Sequence, residues 1–206
     1  MADIIGGRLI VPVITRTRVG AYVELTRPRI VAMVLVATAA GFCLALPSNL
    51  GVAALPTFLS TLWGTALVAA AATTLNQYLE ADRDRKMVRT KNRPLPSGRL
   101  TENKALAFGV TCGVGGVVCL AVQVNRLASA LALMTFLSYV FIYTPLKRST
   151  PLCVLVGAVP GAMPPVIGWA ASRGSLSLET LTLFAILFFW QLPHFAAIAW
   201  RYREDY

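Results

Sequence analysis

The sequence predicts an all-α fold, a polytopic membrane bundle of six transmembrane helices, and three observations carry that expectation. Charged residues make up only 14% of the 206 positions, against about 25% in a soluble domain, and a mean hydropathy of +0.65 points the same way. Six uncharged stretches approach or exceed the roughly 20 apolar residues a spanning helix needs. They are Ile30 to Leu46, Gly51 to Leu79, Ala105 to Val122, Leu127 to Leu146, Pro151 to Ser172 and Thr180 to Trp200. The basic residues, finally, fall in alternate gaps between these stretches, as a six-span topology requires.

Of the 19 lysines and arginines, Arg8, Arg16, Arg18, Arg27 and Arg29 precede the first span. Arg83, Arg85, Lys86, Arg89, Lys91, Arg93, Arg99 and Lys104 follow the second, Lys147 and Arg148 the fourth, and Arg201 and Arg203 the sixth, leaving only Arg126 and Arg173 for the other side. Basic loops stay on the cytoplasmic face, so both termini are expected inside, in a bacterial-type plasma membrane. Residues 1–29 then form a cytoplasmic N-terminal segment and 30–206 the membrane domain. Residues 1–29 lack a bounded apolar core with a cleavage site, so the first span is expected to act as its own targeting signal. Asp3 and Glu24 argue against an organelle transit peptide. The net charge of +10 is explained by short loops beside apolar spans, and no nucleic-acid partner is expected. The four cysteines lie in apolar stretches without a CxxC pair, which predicts buried packing roles rather than a disulfide framework or metal ligands.

Taken in order, the first span opens at Arg27-Pro28-Arg29, where the proline suits a first helical turn and the arginines anchor the cytoplasmic end. The uncharged turn from Pro47 to Gly51 folds the second span back as an antiparallel hairpin. Residues 81–104 form the longest polar stretch; Pro94, Pro96, Ser97 and Gly98 take it out of the helix, and it is the one loop long enough to cover a site. Short connections at Asn125-Arg126, at 147–150 and at 173–179 leave no room for a soluble domain. Glycines in the third and fifth spans predict close helix packing, and Pro160, Pro164 and Pro165 make the fifth a candidate for a kink beside a cavity.

Three polar constellations stand out. Asn76, Glu80 and Asp84 are spaced i, i+4, i+8 at the end of the second span, so they share one helix face over about 12 Å. Oxygen ligands on one face suit Mg²⁺, which binds through one or two carboxylates plus substrate phosphates. A solvated, salt-bridged helix end would use the same acidic residues, but Asn76 and Glu80 continue the face inward, where unpaired polar groups are costly. Asp82 points away and reads as structural. Tyr143 and Lys147, i and i+4 at the end of the fourth span, fit either a phosphate-binding lysine or ordinary interfacial anchors. In the sixth span Gln191 and His194, the only histidine, share a face at i, i+3, and Asp205 follows as a second acidic position. His194 fits a substrate-facing role or a hydrogen bond to a neighbouring helix.

Together these segments resemble the UbiA superfamily of intramembrane prenyltransferases, and within it the branch that farnesylates heme. Asn76, Glu80 and Asp84 match its first acidic motif, residues 86–95 (KMVRTKNRPL) its heme-branch stretch, Tyr143 and Lys147 its YxxxK element, and 190–206 its WQxPHF segment with the trailing Asp205. The resemblance implies a nine-helix fold, of which this chain holds six. It implies transfer of a farnesyl group from farnesyl diphosphate to a vinyl group of heme b, with Mg²⁺ held through Asn76, Glu80 and Asp84. It also implies diphosphate binding by Arg89, Arg93 and Lys147, substrate contacts at Tyr143, His194 and Asp205, and heme A synthase as a protein partner. Heme is then a substrate rather than a prosthetic group. Transfer to an aromatic or quinone acceptor, and an inactive shortened membrane subunit, are the alternatives.

Overall fold

The computed structural model describes residues 17–47, 51–146 and 153–201, which are helices joined by short turns and by one long loop at 85–101, with no strand among the described residues. Helix α1 (Arg18–Thr26) starts at Thr17, whose hydroxyl accepts the Gly20 N–H at 3.2 Å, an N-cap of the usual kind. It ends at Arg27, which adopts the left-handed region at φ +48°. Helix α2 (Pro28–Ala45) begins at the next residue, with Pro28 in the first turn as expected. A 3-10 turn at Gly51–Ala54 leads into α3 (Leu55–Asp84), followed by α4 (Glu102–Gln123) and α5 (Arg126–Leu137). The fourth span then widens into a π-helical turn at Ser138–Tyr143 and finishes as α6 (Thr144–Leu146), so the helix does continue through Pro145. Helices α7 (Cys153–Arg173) and α8 (Leu178–Arg201) complete the chain.

Among the described residues six helical segments are long and apolar enough to cross a membrane, and they overlap the six predicted stretches, so this is a multi-pass membrane protein. Within residues 1–29, α1 is a separate helix packed on α3.

Lipid supplies no hydrophobic force between helices, so close approach through small residues must do the work. At the α2–α7 crossing a Cβ on Gly41 would strike the Pro165 backbone, and one on Gly168 would strike Thr38 and Phe42. Gly64 of α3 and Gly116 of α4 meet backbone to backbone in the same way. These glycines are therefore packing residues, as the sequence indicated, whereas Gly115 of α4 meets nothing within 4 Å. Helix α7 carries Pro160, Pro164 and Pro165 through its length without a break, all three buried. The cysteines differ from expectation: Cys43 is exposed and the other three are half-buried, all with free thiols. An apolar stretch in a membrane helix can satisfy its hydrophobicity against lipid as well as against protein, so a cysteine in one need not be buried.

One end of the bundle is tied by Asn125, whose amide donates to the Ala170 and Ala171 carbonyls at 2.9 and 3.2 Å. The other end is an apolar cluster of Ala21, Leu25, Ala81, Leu95, Leu100 and Ala105, drawn from α1, α3, the 85–101 loop and α4. The second cluster supports the polar face of α3.

Candidate active site

The last two turns of α3 bury what a helix end ordinarily exposes. Asn76, Glu80 and Asp84 are 2%, 8% and 5% exposed, whereas Asp82, on the opposite face, is open to solvent and pairs with Arg85 at 3.0 Å. Carboxylates are seldom this buried unless paired. The cover comes from the loop that follows. Leu95 and Leu100 anchor it in the apolar cluster, the Thr90 hydroxyl donates to the Asp84 carbonyl at 2.9 Å, and Arg93 forms an ion pair with the Asp84 carboxylate at 2.6 Å. Arg99 pairs with Glu24 of α1 at 2.8 Å and donates to the Asn92 carbonyl within its own loop at 2.6 Å, so the loop is tied to α1. The loop predicted to be long enough to cover a site does cover the acidic face.

The other wall is the π-helical turn. Asn76 donates through its side-chain nitrogen to the Thr144 hydroxyl at 3.0 Å, and Thr144 donates to the Tyr139 carbonyl at 2.9 Å, across the widened turn. Tyr139 and Tyr143 stack with ring centres 5.3 Å apart, and the Tyr143 ring lies against Gly157 of α7, where no Cβ would fit. π-turns gather at functional sites, and this one sets the two tyrosines beside the acidic face.

Sequence reasoning missed Arg27. It was read as an interfacial anchor, yet it interacts electrostatically with Glu80, Asp84, Arg93 and Tyr139. Burial, and then the positive charge of Arg93, pull its guanidinium below the usual arginine range, while Tyr139 and the two carboxylates oppose them. Two carboxylates and two guanidiniums thus share one partly dry region with no formal net charge. The available signal was position: a basic residue between two helices, at the same end of the bundle as the acidic turn.

The structure therefore brings together Asn76, Glu80, Asp84 and Arg93, with Tyr143 joined through its stack on Tyr139. Arg89 is exposed on the same loop as Arg93. His194 is exposed on α8 with its ring stacked on Trp190 at 5.0 Å, whereas Gln191 is buried against Gly161 of α7. The face these two were expected to share is thus split, because α8 packs chiefly on α7 and buries only a narrow stripe. Lys147 and Asp205 lie outside the described residues. An open hollow lined by Arg85, Leu95, Gly98 and Glu102 sits on the far side of the loop and includes none of the acidic face.

Among the described residues no group of three or more His, Cys, Asp or Glu side chains could hold a metal alone. Two carboxylates and one amide are instead a donor set for a hard cation that brings phosphate ligands with it.

Comparison with known proteins gives a consistent answer. The model of the UbiA prenyltransferase family matches residues 34–206. Among curated proteins, the "Protoheme IX farnesyltransferase" of Solibacter usitatus is 50% identical, over 90% of this chain and 65% of its own length. That of Myxococcus xanthus is 46% identical, over 89% and 61%. The human "Protoheme IX farnesyltransferase, mitochondrial" is 44% identical, over 91% of this chain and 41% of its own. The chain thus spans somewhat under two thirds of the bacterial relatives it matches. No solved structure matches it.

Proposed function

The chain belongs to the UbiA prenyltransferase family, and on that premise we propose that the buried end of α3 binds the diphosphate of farnesyl diphosphate, whose farnesyl group passes to a vinyl group of heme b to give heme O. The relatives' names support the two substrates. The observation that carries the site is the neutral cluster of Glu80, Asp84, Arg27 and Arg93 at one end of the bundle. In the reaction the allylic C–O bond breaks, its electron pair leaving with diphosphate. The vinyl carbon forms the new C–C bond, and the cation left on the heme side takes up water and releases a proton.

Magnesium fits the donor set. Glu80 and Asp84 offer carboxylate oxygens on one face, and Asn76 offers its amide oxygen, its nitrogen being engaged by Thr144. When bound, the ion would neutralise charge developing on the departing diphosphate. Arg93 and Arg27, and from the sequence motif Arg89 and Lys147, bind phosphate oxygens; guanidinium forks suit that geometry. The stacked Tyr139 and Tyr143 present aromatic faces that favour a cationic farnesyl carbon. His194 and Asp205 are assigned to the heme side of the reaction. The concentration of arginines and lysines at the end of the bundle that holds the site supports a cytoplasmic N-terminus in a bacterial plasma membrane. Heme A synthase, which would consume the product, is the protein partner this reading implies.

The test is reconstitution of the chain in lipid with heme b, farnesyl diphosphate and Mg²⁺, following heme O and diphosphate by chromatography and mass, beside a full-length relative. Heme O formation supports the assignment. Its absence beside a working relative, or transfer to an aromatic acceptor instead, overturns it for this chain.

A further inference from the structure

Two hydrogen bonds cross from α3 to the end of α1, and the reaction as described uses neither donor. The Gln77 amide donates to the Leu25 carbonyl at 2.7 Å, and the Thr73 hydroxyl reaches the Thr26 carbonyl at 3.0 Å, the shortest of three acceptors that share its single proton, the others being the Ala69 and Ala70 carbonyls of its own helix at 3.1 Å. Both side chains are buried, at 2% and 5% exposed. Gln77 follows Asn76 and is turned about 100° from it around the helix, so α3 presents one face to the acidic site and the next to α1. The Leu25 and Thr26 carbonyls belong to a last helical turn that leaves its oxygens without intrahelical partners. Pro28, having no N–H, cannot supply one.

The residue immediately after these two carbonyls is Arg27, the one non-glycine with positive φ among the described residues. A left-handed conformation is disfavoured at a side chain of this kind and persists where the surroundings over-determine it. Released, a residue before proline settles in the extended region, which would carry its side chain off the acidic face.

We propose that Gln77 and Thr73 form a clamp that fixes the α1–α2 break in the conformation presenting Arg27 to the diphosphate, making them positioning residues that touch no substrate. The proposal rests on the reading of this site as the diphosphate site. The clamp holds the backbone before Arg27, and the Glu24–Arg99 pair holds α1 to the loop carrying Arg93, so both guanidiniums are kept at one acidic face, Arg93 in an ion pair with Asp84 and Arg27 within electrostatic range of Asp84 and Glu80.

The experiment is calorimetric titration of inorganic diphosphate, with Mg²⁺ present, into the full chain in lipid nanodiscs. Arg27→Ala is expected to weaken binding by about tenfold or more, the loss of a charge-assisted contact, with Gln77→Ala approaching that loss. Thr73→Val should weaken binding several-fold, while Thr73→Ser, which keeps the hydroxyl, restores it. The decisive arm is the double variant: placed on Arg27→Ala, Gln77→Ala should add less than about twofold, because it acts only through Arg27. Additive losses, or unchanged affinity in Gln77→Ala and Thr73→Val, overturn the clamp while leaving the diphosphate site intact. No binding by the unmodified chain overturns the diphosphate reading itself, and the clamp with it.

Discussion

Replacing Arg93 by alanine should destabilise the protein through Asp84. The carboxylate is 7% exposed at its side chain and its guanidinium partner 25%, with 2.6 Å between them. Breaking a fully buried pair by deleting one member costs about 3–5 kcal/mol, because the survivor is left charged and dry. Here Arg93 keeps a quarter of its surface, and Arg27 still acts on Asp84, so we expect about 2 kcal/mol. Asp84→Asn removes the charge that needs a partner and should cost about 1 kcal/mol, the worth of the lost hydrogen bond. The double variant should then be more stable than the sum of the singles by about 1 kcal/mol or more. Reversible unfolding in mixed micelles by titration with dodecyl sulfate, followed by the fluorescence of the four tryptophans, measures all four corners of the cycle. Strictly additive losses would refute the claim that this pair compensates a buried charge.

Other expectations follow from the same geometry. Glu80→Gln should insert and fold normally yet lose Mg²⁺-dependent diphosphate affinity by about tenfold or more, measured by calorimetry against circular dichroism as the folding control. Gly168→Ala drives a methyl into the backbone of α2 and should cost about 1–3 kcal/mol, whereas Gly115→Ala, which meets nothing within 4 Å, should leave the unfolding midpoint unchanged or raise it. His194→Ala, on an exposed face of α8, should leave diphosphate affinity within about twofold while altering binding of heme b, read from its Soret absorption.

The spans and the acidic face were legible because each depends on one periodicity. Twenty apolar residues make a span, and a spacing of four puts Asn76, Glu80 and Asp84 in line whatever surrounds them. The loop was legible only as a loop: nothing in residues 85–101 distinguishes Arg89 from Arg93, since neither lies on a regular element, and the choice is made by Leu95 and Leu100 anchoring the turn beneath α1. Arg27 was hidden by its neighbour. Arg-Pro reads as the start of a helix, which it is, and the short helix before it becomes visible only when α3 supplies Gln77 and Thr73 to its final carbonyls. With Gln191 and His194, three residues leave about 60° between side chains. That is one face on a helix with several neighbours and two on a helix packed chiefly against one.

The π-helical turn at Ser138–Tyr143 also bears on how this segment tolerates length changes. A turn closed over five residues instead of four holds one residue more than the helix needs, so the segment carries a spare. Deleting a single position there would let the backbone close into regular α-helix at small cost in stability. Residues downstream would keep close to their present angle relative to α5, because the π turn already absorbs about the 100° that one extra residue adds, so Tyr143 would still face Gly157 and Thr144 would still face Asn76. A one-residue deletion confined to this turn would thus leave the wall of the site in place, whereas the same deletion in a regular α-helical span has no spare residue to absorb it and would turn the downstream side chains by about 100°.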